Sequence, residues 1–244
     1  MTPAAGTARR PARSVTGVTC PSVLAELKKL GTAQNVKVYT GHGIGTNLYG
    51  VNFANLGVLQ KRIKINHALA VELWATGNAD ARHLATMTAD PSLATEALVD
   101  AWVKDLSNYL ISDLFAKFVA RTSFAHARAD KWVRSEDEWI GRAGWAILAS
   151  LALAEPSSAW NSYFKSHLDL IERDIHRAKN FTRHAMNNAL IAIGIRNNAL
   201  KNAAQNAARR IGKVEVDHGE TSCVIPDAVS YIEKAWAHKT RKKS

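Results

Sequence analysis

Two cysteines in 244 residues, Cys20 and Cys223, lie too far apart for a disulfide framework or a thiolate metal site. A reducing, cytoplasmic setting is the expectation. No apolar run is long enough to cross a bilayer: the longest, residues 143–154, falls well short of the roughly 20 residues a spanning helix needs. Catalytic signatures are missing as well. Nine histidines never fall into an HExxH spacing and no GxSxG occurs, so neither a bound metal nor a serine-hydrolase elbow is expected, and no cofactor is required. "GHGIG" at 41–45 lacks the following Lys-Ser/Thr and the strand–loop–helix frame of a phosphate-cradling loop.

Acidic residues are also scarce, 21 against 32 Lys and Arg, giving a net charge of +11. The bias is local. Residues 173–213 carry nine Lys or Arg against one acid, Asp174, and the tail "HKTRKKS" adds four more basic side chains. Such a distribution attracts a polyanion, nucleic acid first and an acidic membrane surface second; a basic protein without a specific partner is the plainer alternative. The first residues, "MTPAAGTARRPARSV", read as a disordered basic arm over 1–20, with an organelle transit sequence as the alternative.

What fills the rest is helix. Apolar residues make up 47% of the chain, and from Pro21 onward they recur at the 3.6-residue period. Caps and breakers place helices near 21–31, 53–65, 67–77, 79–89, 92–106, 108–121, 124–134, 137–153, 160–178, 181–195, 198–212 and 226–236. Ser135 and Glu138 fit a capping box. Residues 35–51 alone read as β-like or irregular. Short helices joined by very short turns predict an all-α, α-solenoid architecture of degenerate antiparallel pairs over 21–238, one domain with a basic tail at 239–244. A non-repeating helical bundle is the alternative, and nothing demands more than a monomer.

The segment "NYLISDLFAKF" raises a question of its own. As a helix it puts Leu110, Ile111, Leu114, Phe115 and Phe118 on one face, leaving Tyr109, Ser112, Asp113 and Ala116 on the other. A face so sparse in charge suits a groove on the concave side of a solenoid. In "WIGRAGW", Arg142 sits within an otherwise apolar helix, where it either enters that groove to meet phosphate or forms a surface ion pair. Seven tryptophans are expected mostly in the core, some at the groove edge. "HGETSC", residues 218–223, clusters a histidine, a carboxylate and a thiol; a capped turn before the last helix is its simplest reading.

Several segments carry a resemblance. "LYGVNFANLGVLQKRIKINHALAVELWATGNADARHLATMTADP", "SNYLISDLF", "SEDEWIGRAGWAIL" and "NFTRHAMNNALIAIG" resemble successive parts of the DNA alkylation repair proteins, the AlkD-like alkylpurine DNA glycosylases built from HEAT-like repeats. The resemblance spans about residues 45–213. It implies a basic concave face for double-stranded DNA and hydrolysis of the N-glycosidic bond of N3- or N7-alkylated purines, without metal or cofactor. Matched position by position, Asp113 falls on the catalytic aspartate. Tyr109 falls on an aromatic that contacts the lesion's backbone, and Arg142 on an arginine that approaches phosphate; Lys179 and Arg183 belong to the expected DNA-binding surface. The pattern departs at Asn188, where a second tryptophan is expected, and at Ile191, where an arginine often stands. A lost stacking wall worth about 1–3 kcal/mol per base implies activity lower by one to two orders of magnitude.

Two further functions stay open at this point: a HEAT-like protein that binds bent or branched DNA without catalysis, and a solenoid scaffold for protein ligands. The charge distribution separates DNA binding from the scaffold. If about four Lys or Arg neutralise phosphates, duplex affinity is expected to fall about a hundredfold between roughly 50 and 200 mM salt. Fluorescence anisotropy at the two salt concentrations measures this; weak, salt-insensitive binding would favour the scaffold.

Overall fold

The computed structural model describes residues 17–154, 157–219 and 223–241. The basic arm therefore lies outside the described residues as far as residue 16. Thr19 already caps the first helix, through a reciprocal pair with Ser22. The described residues form thirteen α-helices: α1 (Cys20–Leu30), α2 (Ala33–Gly41), α3 (Phe53–Ile63), α4 (His67–Ala75), α5 (Ala79–Thr88), α6 (Glu96–Trp102), α7 (Tyr109–Val119), α8 (Ala125–Trp132), α9 (Glu138–Ala154), α10 (Asn161–Asp174), α11 (Asn180–Arg196), α12 (Asn198–Ile211) and α13 (Ala228–Arg241). No strand occurs among them.

The helices stack in two layers. Each odd-numbered helix from α3 to α13 packs on the next odd-numbered one, while α4, α8 and α12 pair with α5, α9 and α11. This is the serial pairing of a helical solenoid. Between the layers runs an aromatic ladder. Trp74 of α4 stacks flat on Trp102 of α6 at 4.3 Å, and Phe115 of α7 meets both Trp74 and Trp132 of α8. Four of the seven tryptophans, 74, 102, 132 and 145, are core residues.

Three sequence expectations need correction. Residues 33–41 are helical: Thr32 caps α2 by accepting from the Asn35 amide, and the Tyr39 hydroxyl donates to Val51 O at 3.0 Å. None of its residues is buried, so it lacks the apolar stripe by which a helix is read. The capping box at Ser135 and Glu138 does not form. Asp137 caps α9, accepting from the Trp139 and Ile140 amides, and Glu138 reaches instead to the Phe181 amide at the start of α11. Finally, the sparse side of α7 is not all open. Ser112 and Ala116 are fully buried, because α7 lies between α5 and α9 and small residues let those neighbours approach.

Buried polar groups anchor the loop before α3. The Asp80 carboxylate, 0% exposed, accepts from the Tyr49, Gly50 and Val51 amides at 2.6, 3.0 and 3.0 Å. Gly50 must be glycine, since its φ is 78° and a Cβ would lie 2.7 Å from Thr32 O. His83 differs: it is 1% exposed, its ring lies against Phe53 at 5.7 Å, and neither ring nitrogen is hydrogen-bonded.

Burial pulls the His83 pKa from 6.5 to about 4. The folded state thus keeps it neutral where the unfolded chain takes a proton. Its contribution to stability is complete above about pH 6.5 and is lost as the pH falls toward about 4. His83→Leu is expected to spare about 2 kcal/mol of the stability otherwise lost between about pH 7 and pH 4.5. Urea unfolding of both proteins at the two pH values checks this; equal acid losses would refute it.

Candidate nucleic-acid interface

Three odd-layer helices build the site. Asn108 begins α7 by accepting from the Leu110 and Ile111 amides, and Phe115 and Phe118 fix the helix's rotation by burying completely. That rotation leaves Tyr109 half-buried and the Asp113 side chain 37% exposed. From α9, Arg142 arrives almost fully buried, at 2% exposure. Its Nε donates to Asp113 Oδ1 at 2.9 Å and its Nη2 to Oδ2 at 2.8 Å, a bidentate fork, while Nη1 donates to Phe181 O at 3.0 Å. Two glycines make room for α9. A Cβ on Gly144 would lie 2.5 Å from Val133 N, and one on Gly141 would lie 3.2 Å from Ser135 O and Thr182 Oγ1.

Arg142 is therefore an internal support for Asp113: it forms an ion pair, but a buried one rather than the surface pair open in the sequence. The carboxylate keeps an open edge because the fork occupies only the side facing the protein.

Around Tyr109 the aromatic rings are close. Phe181 lies near-parallel to it at 5.9 Å, Trp139 stacks on Phe181 at 5.2 Å, and His42 meets Tyr109 edge-on at 6.1 Å. The Arg142 guanidinium sits 5.6 Å from the Tyr109 ring centre. Burial, then Cys223 and Asp113, raise the Tyr109 phenol pKa against the opposing pull of Arg142. His184 goes down to about 4 through burial, with Arg142 and His218 adding repulsion.

The segment after α12 contains the described part of "HGETSC", residues 218, 219 and 223. Residues 212–219 and 223–227 form a strap along α11, held by side chains one and two turns apart. Asn180 exchanges two hydrogen bonds with the Asp217 backbone, Arg183 donates to Glu215 O at 2.9 Å, and Asn187 donates to Pro226 O at 3.0 Å. His218 stands edge-on to His184 at 5.2 Å. Beneath the strap is a cavity of about 530 Å³ whose walls include His42, Tyr109, Trp139, Phe181, His184 and His218.

The basic residues divide. Arg183 turns inward, donating also to Ile175 O, His176 O and Ala178 O at the end of α10, and Arg196 is buried against Ala152 O and Ser157 O. Arg173 and Arg177 pair with Asp174, and Arg210 with Glu172. Lys179 is exposed on a cleft of about 650 Å³ that it shares with Arg134, Arg173 and Arg177. Asn188 is half-buried on α11, and Ile191, 5% exposed, belongs to the core. Phe181, Trp139, His42 and the strap are the features that the sequence did not single out as a site. "NFTRH" offered the one usable signal, an aromatic at the start of a helix next to basic residues.

The comparisons with known proteins fit this geometry. The family described as DNA alkylation repair enzyme matches residues 23–232. An uncharacterized protein of Listeria innocua serovar 6a, Lin0241, is 31% identical over 225 residues, covering 89% of this chain and 97% of its own. Lmo0209, an uncharacterized protein of Listeria monocytogenes serovar 1/2a, is 29% identical over the same shares. A solved structure superposes with a TM-score of 0.84 at 31% identity, over 91% of this chain and 95% of that one. It is described as a new family related to the HEAT-like repeat DNA glycosylases, with affinity for branched DNA structures. The fold is accordingly HEAT-like.

Arg183→Ala removes the strap's central tie and is expected to raise thermolysin cleavage within 213–226 about tenfold, global stability falling by about 1 kcal/mol. Time-resolved mass spectrometry of the digest measures this. An unchanged cleavage rate would show that the strap does not depend on α11.

Proposed function

Because the chain belongs to the DNA alkylation repair enzyme family, we propose that it binds DNA and hydrolyses the N-glycosidic bond of N3- or N7-alkylated purines. One observation carries this reading: a carboxylate 37% exposed, held in a fixed orientation by a guanidinium 2% exposed at 2.9 and 2.8 Å. Alkylation makes the purine cationic and a good leaving group, so the bond breaks with positive charge developing on the sugar. Asp113 stabilises that charge and orients the attacking water.

The ion pair does not cancel this effect. At an effective dielectric constant of about 20, a sugar cation about 3 Å from the carboxylate gains ~5 kcal/mol, and the guanidinium about 7 Å away opposes it by ~2. The net of ~3 kcal/mol corresponds to about a hundredfold in rate. Tyr109 lines the approach with its edge and hydroxyl, its ring already being near Phe181 and Arg142. Lys179 and its cleft supply phosphate contacts. Arg173 and Arg177 join it at small cost, because solvent screens exposed pairs such as theirs with Asp174.

A second reading is DNA binding without base release, in which the chain recognises branched DNA as its structural relative does. Asn188 favours it, since a carboxamide supplies no π face. Base release from methylated duplex DNA separates the two. Free 7-methylguanine or 3-methyladenine is expected above the uncatalysed rate. Asp113→Asn is expected to lower release about a hundredfold and to change duplex affinity less than about twofold. No release by the folded protein would leave the second reading; undiminished release by Asp113→Asn would mean that another group carries the chemistry.

A further inference from the structure

We propose that the cavity lined by strap residues 217–219, 223 and 224 receives one unpaired nucleobase from the bound DNA strand. The inference rests on the DNA-binding reading but not on base release. Its volume of about 530 Å³ falls within the range of about 300–1,000 Å³ usual for small-molecule sites. The walls are rich in rings: Tyr109, Phe181 and Trp139 stack on one another, and His42 stands edge-on to Tyr109. An aromatic face left open at the end of such a stack takes the flat face of any base. Polar groups stand at the rim, where a base presents its hydrogen-bonding edge: His184, His218 and Asp217.

Gly41 offers a position from which the space can be tested. It ends α2 and lines the cavity. It is exposed, its φ is not in the left-handed region, and an added Cβ would meet nothing within 4 Å. Neither backbone conformation nor packing therefore requires glycine there, and a bulky residue is tolerated beside the cavity. Its neighbour Gly43 differs, with a φ of 76°.

Location decides what the ligand is. Tyr109 lines the cavity and stands one helical turn before Asp113, so a strand whose sugar meets Asp113 passes the cavity mouth. A paired base cannot leave its stack without cost, whereas an unpaired base at a bulge or branch point is already free. Asp217, His218, Gly219, Cys223 and Val224 line the cavity, which gives these residues a role that the carboxylate chemistry leaves unassigned.

The test compares binding of a paired duplex with the same duplex carrying one unpaired purine, for the full chain and for Gly41→Trp. The intact protein is expected to bind the bulged duplex about tenfold more tightly, the size of one stacking contact. Gly41→Trp is expected to lose that preference while keeping its affinity for paired duplex and its circular dichroism spectrum. As a second measurement, a 5-iodouracil placed at the bulge is expected to photocrosslink to the cavity rings, Tyr109, Trp139, Phe181 or His218. Equal affinity for the two duplexes, a preference that survives Gly41→Trp, or crosslinks confined to other surfaces would each overturn the proposal. Failure to bind any DNA would overturn the DNA reading and this inference together. Purine riboside shifting the His184 ring resonances in that case would reassign the cavity to a free nucleoside.

Discussion

The Asp113–Arg142 fork is the interaction on which the site depends. A guanidinium 2% exposed is costly to bury unless its donors are satisfied, and here all three nitrogens donate, two to Asp113 and one to Phe181 O. The fork thereby joins α7, α9 and α11, three successive helices of one layer, at a single point. Glu138 reinforces the same junction by accepting from the Phe181 amide, and Thr182 by donating to Glu138 O. Both backbone polar groups of Phe181 are fixed in this way, and its ring lies against Tyr109 and Trp139. The ion pair thus anchors the backbone from which the aromatic cluster is built. Loosening the fork would blur the carboxylate's aim and the wall together.

The same logic sorts the basic residues. Arginine's planar fork suits carbonyls and carboxylates at fixed angles, so the chain uses Arg142, Arg183 and Arg196 as internal ties. Arg183 alone collects four carbonyls, three from the end of α10 and one from the strap. Lysine, strongly hydrated and flexible, stays outside, as Lys179 does. A count of positive charge along 173–213 therefore overstates the surface available to phosphate, and a count of exposed, weakly paired side chains measures it better. The exposed pairs at Asp174 and Glu172 belong to that count, since such surface pairs exchange partners at little cost.

Legibility in the sequence followed burial. The rotation of α7 could be read in part: Ile111, Phe115 and Phe118 repeat at the helical period and all bury, with Asp113 away from them, but the buried face is turned toward Ser112 and Ala116 and leaves Leu110 and Leu114 half-buried. The solenoid order could be read because short turns force neighbours to pair. Helix α2 could not, since it buries nothing and its valines and tyrosine alternate as a strand's would. Nor could the strap. It is held by side chains bonding to backbone carbonyls and amides, and a segment fixed that way needs no pattern of its own. The burial of Ser112 and Ala116 was hidden for a third reason: small residues look alike whether they face solvent or a close-packed helix, and only the neighbours distinguish the two.

Asn188 then acquires a more specific meaning. The aromatic surface expected one face along α11 is absent there, but α11 begins with Phe181, which carries Trp139 and Tyr109 with it. Aromatic area has moved about two turns toward the helix start, from the region of the strand's backbone to the space beneath the strap. A wall at that place does not hold the sugar, so the proposed bond cleavage must draw on the carboxylate's charge more than on stacking. The proposed chemistry by a fixed charge and the proposed recognition of a base thus draw on adjoining turns of α7, at Asp113 and Tyr109, with the Arg142 guanidinium bonded to the one and 5.6 Å from the ring centre of the other.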